Sequence, residues 1–188
     1  MSSETPSPEQ PQTPVVVPLP DGSSATLRVG EAPTVDETVL AALRALPAPE
    51  HQVASFAVHA FSGDSLTAGR VLAVEDLLAT VDDEPAPHGL LVAVPDARSL
   101  LVHAVRDEHV LRAAHLMATI ARLRQGEADA IDADVFYRAP DGTPQRITAH
   151  ADAEVEVHVE GAFADTLAAM GLIDRSRRAR RAAKRAKR

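Results

Sequence analysis

The sequence has no cysteine and no tryptophan, a single tyrosine, Tyr137, and only 3% aromatic residues. Without cysteine there are no disulfides, thiolate metal ligands or thiol nucleophiles. With so few rings, a stacking platform for single-stranded nucleic acid is disfavoured, and so is an RNA-recognition sheet built on exposed aromatics. No run approaches the ~20 apolar residues of a membrane-spanning helix. The opening MSSETPSPEQPQ has neither the basic segment nor the apolar stretch of a secretory signal, so the expected compartment is the cytoplasm. Phosphate-cradling glycine loops of the Walker or dinucleotide type are missing too.

What is present is a chain of 188 residues with 45% hydrophobic content, enough for one domain with a real core. Heavy use of Ala, Val, Asp and Arg, with lysine only at 184 and 187, points to a GC-rich bacterial genome. The net charge of -8 conceals a split. From Arg175 onward, RSRRARRAAKRAKR carries nine of the nineteen basic residues and no acid, which leaves ten against twenty-seven acids, a net of -17, in residues 1–174. An acidic body thus carries a basic tail.

The expected organisation is a disordered Pro-rich leader at 1–13, a single α+β domain at 14–170 and a basic helical tail at 171–188. VVVPLPDGSSATLRV reads as two short strands around Asp21-Gly22, with Pro18 and Pro20 confining the first to an edge. TVDETVLAALRAL has the capping-box spacing at Thr34 and Glu37, then apolar residues at helical intervals up to Pro47. HQVASFAVHAF, residues 51–61, reads as one strand of imperfect alternation, and LTAGRVLAVEDLLATV as one helix. GLLVAV and SLLVHAV form two strands joined by PDAR, too short for a crossover and therefore a hairpin. Asp107 is placed to cap the strongest helix, whose Val110, Ala113, Ala114, Met117, Ile120 and Ala121 form one stripe. DVFYRAPDGTPQRITA predicts a second hairpin turning at Asp141-Gly142, and a last helical segment breaks at Gly171. These elements predict a largely antiparallel sheet with two to three helices on one face.

HADAEVEVHVE, residues 150–160, alternates His150, Asp152, Glu154, Glu156, His158 and Glu160 with Ala and Val. On one strand those six share a face, yet His150 and His158 would lie about 26 Å apart at ~3.3 Å per residue, too far to share an ion. The reading is a solvated strand face, with an acidic docking surface as the alternative. His103, His109 and His115 lack the i, i+4 spacing of a zinc-binding helix, and no metal site or cofactor is expected.

Phe61-Ser62-Gly63-Asp64-Ser65-Leu66 follows a strand, and its GDSL tetrapeptide resembles that of the GDSL hydrolases, in which the serine is the nucleophile. No oxyanion-hole block or downstream Asp-x-x-His pair accompanies it. LTAGRVLAVEDLL, LLVAVPDARSLLVHAV, the long helix, DVFYR and PDGTPQRI, within residues 66–147, resemble the later part of the bacterial YtpQ-like family, whose function is unknown. Pro95, Leu100 and Leu101 keep that family's spacing, while Arg98 is displaced by one and Ser99 stands where the family has an acid. The resemblance implies an α+β order and transfers no catalytic residue.

The functional expectation is a non-enzymatic binding or accessory protein. Its tail residues Arg175, Arg177, Arg178, Arg180, Arg181, Lys184, Arg185, Lys187 and Arg188 would contact nucleic acid, a ribonucleoprotein or an acidic protein surface. The tail has only alanines as an apolar stripe and lacks the large side chains of a bilayer anchor. The same tail is also suited to neutralising the acidic body itself. The alternative from a different class is a small serine hydrolase using Ser65.

Overall fold

The computed structural model describes residues 14–151 and 154–174. The expected leader at 1–13 and the basic residues from Arg175 onward lie outside the described residues.

The chain opens with an antiparallel hairpin, β1 (Val15–Pro18) and β2 (Ser24–Leu27). Its turn is closed by Asp21, whose Oδ1 accepts from Ser23 N at 3.0 Å, and by Gly22 at φ +82°. The two-stranded sheet consists of edges, which is where Pro18 is tolerated. Helix α1 (Glu37–Ala45) starts differently from the Thr34/Glu37 expectation: Asp36 is the N-cap and takes Thr38 N at 2.7 Å. The shorter carboxylate, on extended backbone, reaches the second amide of the helix and leaves Glu37 free to pair with Arg44 at 2.7 Å.

The segment 51–61 is not one strand. It is a hairpin, β3 (Glu50–Ala54) and β4 (Val58–Ser62), reversing through Ser55–Ala57 with Phe56 at φ +59° and Ala57 at φ +51°. The imperfect alternation was the trace of that reversal, and the turn lacks the Gly or Asn that usually marks positive φ. The next helical segment is also divided, into a 3-10 stretch, Ala68–Ala73, and a short α2 (Val74–Leu78), with the break at Ala73 (φ -123°, ψ +38°).

Strands β5 (Leu90–Ala93) and β6 (Ser99–Ala104) pair antiparallel across the PDAR turn, as the spacing predicts. Helix α3 (Val110–Leu123) follows, with Val110, Ala113, Ala114, Met117 and Ala121 buried and Ile120 half-buried. Asp107 Oδ1 accepts from His109 N at 2.8 Å, while His109 is the residue that flanks the helix itself. Strands β7 (Val135–Arg138) and β8 (Pro144–Arg146) form the hairpin at Gly142, φ +85°. A small hairpin, β9 (Thr148–Ala151) with β10 (Glu154–Val157), and α4 (Gly161–Ala169) complete the described chain. Gly171, at φ +74°, follows α4 and supplies the expected break.

The central sheet has six strands in the order β3-β4-β6-β5-β7-β8, every neighbouring pair antiparallel. The fold is α+β. Helices α3 and α4 cover one face, bringing Met117, Phe163 and Leu167 onto Leu91, Leu101 and Tyr137. The opposite face is also covered: Leu43, Val71, Leu77 and the hairpin residues Val15 and Val17 pack with Phe61, Leu90, Val92 and Leu100. Two covered faces explain why every residue of β5 is buried and why GLLVAV is a continuous apolar run.

Candidate polar cleft

At one end of the sheet a cleft of about 740 Å³ opens between four segments. The α1–β3 connection, with Pro47 and Pro49, forms one wall, and Ser62, Gly63 and Asp64 at the end of β4 form the next. The β5–β6 turn supplies Asp96, Arg98 and Ser99, and the region after α3 supplies Arg124, Glu127 and Asp129. These segments are tied together by backbone hydrogen bonds, Gly63 N to Arg98 O and Ala68 N to Ala97 O at 3.0 Å each, and Ala97 N to Asp129 O at 3.1 Å. The walls are thus parts of one scaffold.

Two buried charges define the floor. Arg70 is 7% exposed and Asp96 2%. Arg70 donates from NH2 to Pro47 O, its Nε has no hydrogen-bond partner, and among the described residues no carboxylate lies within ion-pair distance of it. Burial pushes this guanidinium below its usual range, with Asp64 opposing the shift. Asp96 Oδ1 accepts from Arg98 N at 2.8 Å, whereas Oδ2 has no hydrogen bond and sits 3.9 Å from Arg124 Nε. Arg124 is held chiefly by Glu127, at 2.9 Å, which raises its pKa. Arg98 is exposed and donates from Nε to Gly63 O at 3.1 Å.

The residues singled out from sequence are distributed elsewhere. Ser65 is exposed in the bend after β4 and is not among the residues that line the cleft. A serine nucleophile at this position would need a base brought within about 3 Å of it. Ser62 lines the cleft, and Asp64 Oδ1 is engaged by Leu66 N at 2.9 Å. His59 lies within the sheet instead, against His51, and burial lowers its pKa.

The HADAEVEVHVE reading as a single strand is overturned by the β9–β10 hairpin, which pairs His150 with Val155. Asp152 lies outside the described residues. His150 turns inward, its Nε2 2.9 Å from Ala133 O and 3.4 Å from Asp134 Oδ1, while Glu154 and Glu156 remain exposed and Val155 and Val157 pack toward the core. His103 is buried, its Nδ1 3.3 Å from Ala57 O; His109 neighbours Asp107 at 3.2 Å; His115 is exposed on α3. Among the described residues, no group of three or more His, Asp or Glu side chains is placed to hold a metal ion, and no helix is long and apolar enough to cross a membrane. The nine basic residues Arg175 to Arg188 lie outside the described residues.

Sequence reasoning missed Arg70, Asp96, Arg98 and Arg124. The one available signal was Arg70 itself, a lone cation inside the apolar run AGRVLAV. Comparison with known proteins finds no matching family model, curated protein or solved structure.

Proposed function

We propose that the protein is a non-enzymatic accessory protein that engages polyanionic partners, nucleic acid or ribonucleoprotein, through its basic C-terminal segment. The observation that supports this reading is how differently the two sets of cations are used. In the folded body, Arg28, Arg44, Arg106, Arg124, Arg138 and Arg146 each lie within 4.0 Å of an acid of the same body. Six of the ten arginines in residues 1–174 are thus paired, and the net charge of that region repels phosphate. The nine basic residues from Arg175 onward have no acid among them in the sequence. Phosphate neutralisation by such a run is independent of base sequence and releases counterions. The kinship of residues 66–147 with the YtpQ-like family is proposed alongside it on their shared element order, and adds no residue role.

Fluorescence anisotropy with generic RNA and duplex DNA over a salt series tests the reading, comparing the full chain with a variant carrying Gln at all nine tail positions. Binding should be confined to the parent chain. Its affinity should fall with log salt at a slope no steeper than about -8 on duplex DNA, the limit for nine neutralised phosphates at ~0.9 each. Equal binding by both chains, or none at low salt, would reject the proposal. In the second case an acidic protein surface becomes the partner to seek.

A further inference from the structure

We infer that the polar cleft at the β4–β6 end of the sheet binds a small, non-aromatic zwitterion of the amino-acid type, its carboxylate read by Arg70 and Arg98 and its ammonium by the Asp96–Asp129 side. This inference is independent of the tail.

Arg70 and Arg98 depart from the pattern of the paired body arginines. Neither guanidinium has an acid within 4.0 Å among the described residues, although Arg98 N donates to Asp96, and both residues line the same cleft. A buried guanidinium whose visible partner is a single carbonyl is costly to maintain, and a bound carboxylate is the planar acceptor its fork is shaped to meet. Asp96 presents the opposite need: it is almost wholly buried, with one oxygen lacking a donor. Both needs occur in one cavity whose size is that of small-molecule sites. Arg70 Nε and Asp96 Oδ2 are closed off from solvent, with Arg124 Nε 3.9 Å from the latter, so a ligand carrying both charges answers the two side chains through their fields and through direct contacts with Arg98 and Asp129, which line the same cleft.

The lining narrows the class. Acids outnumber arginines there, with Glu50, Asp64, Asp96, Glu127 and Asp129 against Arg70, Arg98 and Arg124, so a phosphate dianion meets repulsion that an adjacent ammonium would relieve. No aromatic side chain lines the cleft, which leaves a nucleobase or other flat ring nothing to stack on. Ser62, Thr67 and Ser99 add hydroxyls suited to a hydrated polar ligand.

The test uses the full-length protein in thermal-shift and calorimetric titrations with free amino acids, di- and tripeptides, N-acetylated and C-amidated forms of each, and inorganic phosphate. Zwitterions should raise Tm by roughly 5–10 °C at about a hundredfold excess over Kd. Blocking either the amine or the carboxylate should weaken binding about tenfold or more. Free amino acids binding without the peptides would identify a metabolite, and the reverse would identify a peptide end; either supports the inference. Because Arg70 is buried and its variants risk misfolding, Arg98→Gln is the decisive substitution. It should keep the unliganded Tm while losing about tenfold in affinity. The inference is overturned by no binding across both panels, by phosphate binding as tightly, by undiminished binding of the N-acetylated forms, or by an unchanged Kd in Arg98→Gln.

Discussion

His51 Nε2 lies 3.0 Å from His59 Nδ1, with the two rings stacked at a centroid separation of 5.2 Å. One nitrogen must donate and the other accept, so the contact holds only while at least one of the two rings stays neutral. His59 is almost fully buried, and its Nε2 faces Asp82 at 3.5 Å, which Arg106 already holds at 2.7 Å. Burial lowers the His59 pKa, Asp82 opposes the shift, and the His51 and Arg106 charges add to it. Buried His103 is lowered for the same primary reason.

The sign follows from linkage. A histidine whose folded pKa lies below its unfolded value takes up its proton more readily when unfolded. Stability is therefore full above pH ~6.5 and declines as pH falls below it, by up to about 1.4 kcal/mol per pH unit for each such proton. Urea midpoints measured between pH 7.5 and 5 should decline in parent protein, and His59→Gln should reduce that slope. An unchanged slope in the variant would assign the acid sensitivity elsewhere.

A second buried network links the β8–β9 region to the loop before β7. Arg146 NH1 reaches Asp134 Oδ2 at 2.5 Å and NH2 reaches Asp132 Oδ2 at 3.2 Å, while Thr148 Oγ1 donates to Asp134 Oδ1 at 3.1 Å. Burial raises the Asp132 pKa, only partly offset by its hydrogen bond from Asp134 N and by Arg146. Removing one partner leaves the others charged and poorly solvated, so Arg146→Ala should cost about 3–5 kcal/mol in chemical denaturation. The double variant Arg146→Met with Asp134→Leu should recover part of that loss, since it strands one carboxylate, Asp132, where Arg146→Ala strands two. A double variant no more stable than the single one would show that the network's value is not electrostatic.

The glycines separate conformational need from crowding. Gly22 and Gly89 share the same φ region, +82° and +85°, but a Cβ at Gly22 meets nothing within 4 Å, whereas at Gly89 it would lie 2.3 Å from Arg138 O. Gly22→Ala should cost about 1–2 kcal/mol, the left-handed penalty alone. Gly89→Ala carries that penalty plus displacement of β7 from β5, so its thermal midpoint should fall clearly further. Equal losses would mean that β7 yields without cost.

How far these features could be read in the sequence depended on whether the signal was local. The Asp21-Gly22 and Asp141-Gly142 turns, the β5–β6 hairpin and the α3 stripe were legible because turn residues and apolar period agree there. The β3–β4 reversal was not, because Ser-Phe-Ala carries no turn chemistry. HADAEVEVHVE misled for a related reason: its alternation continues through the fold-back, so period alone cannot distinguish one strand from two. The cleft was hidden because Arg70, Asp96 and Arg124 belong to three distant segments and converge only when the sheet forms.

The β3–β4 turn is also where the backbone is most plainly strained. Phe56 and Ala57 occupy the left-handed region in succession, a conformation that Asn-Gly adopts readily in two-residue turns and that ordinary side chains resist. Phe56 is held there by contacts across to α3, its ring 5.9 Å from that of His109 and under the Arg112 guanidinium at 5.8 Å. Ala57 has no comparable side-chain anchor, and its role is its carbonyl, which faces His103 Nδ1. Ala57→Gly keeps that carbonyl and removes the Cβ penalty of about 1–2 kcal/mol, partly offset by glycine's greater unfolded entropy of about 0.5–1 kcal/mol. The expected outcome is a small net stabilisation, read as a Tm rise of about 1–4 °C. Phe56→Gly relieves the same kind of strain but gives up the ring contacts, worth about 0.5–1 kcal/mol for the cation–π pair, so its gain should be smaller. A Tm that falls in Ala57→Gly would mean that the turn is set by packing against α3 rather than resisted by its own residues.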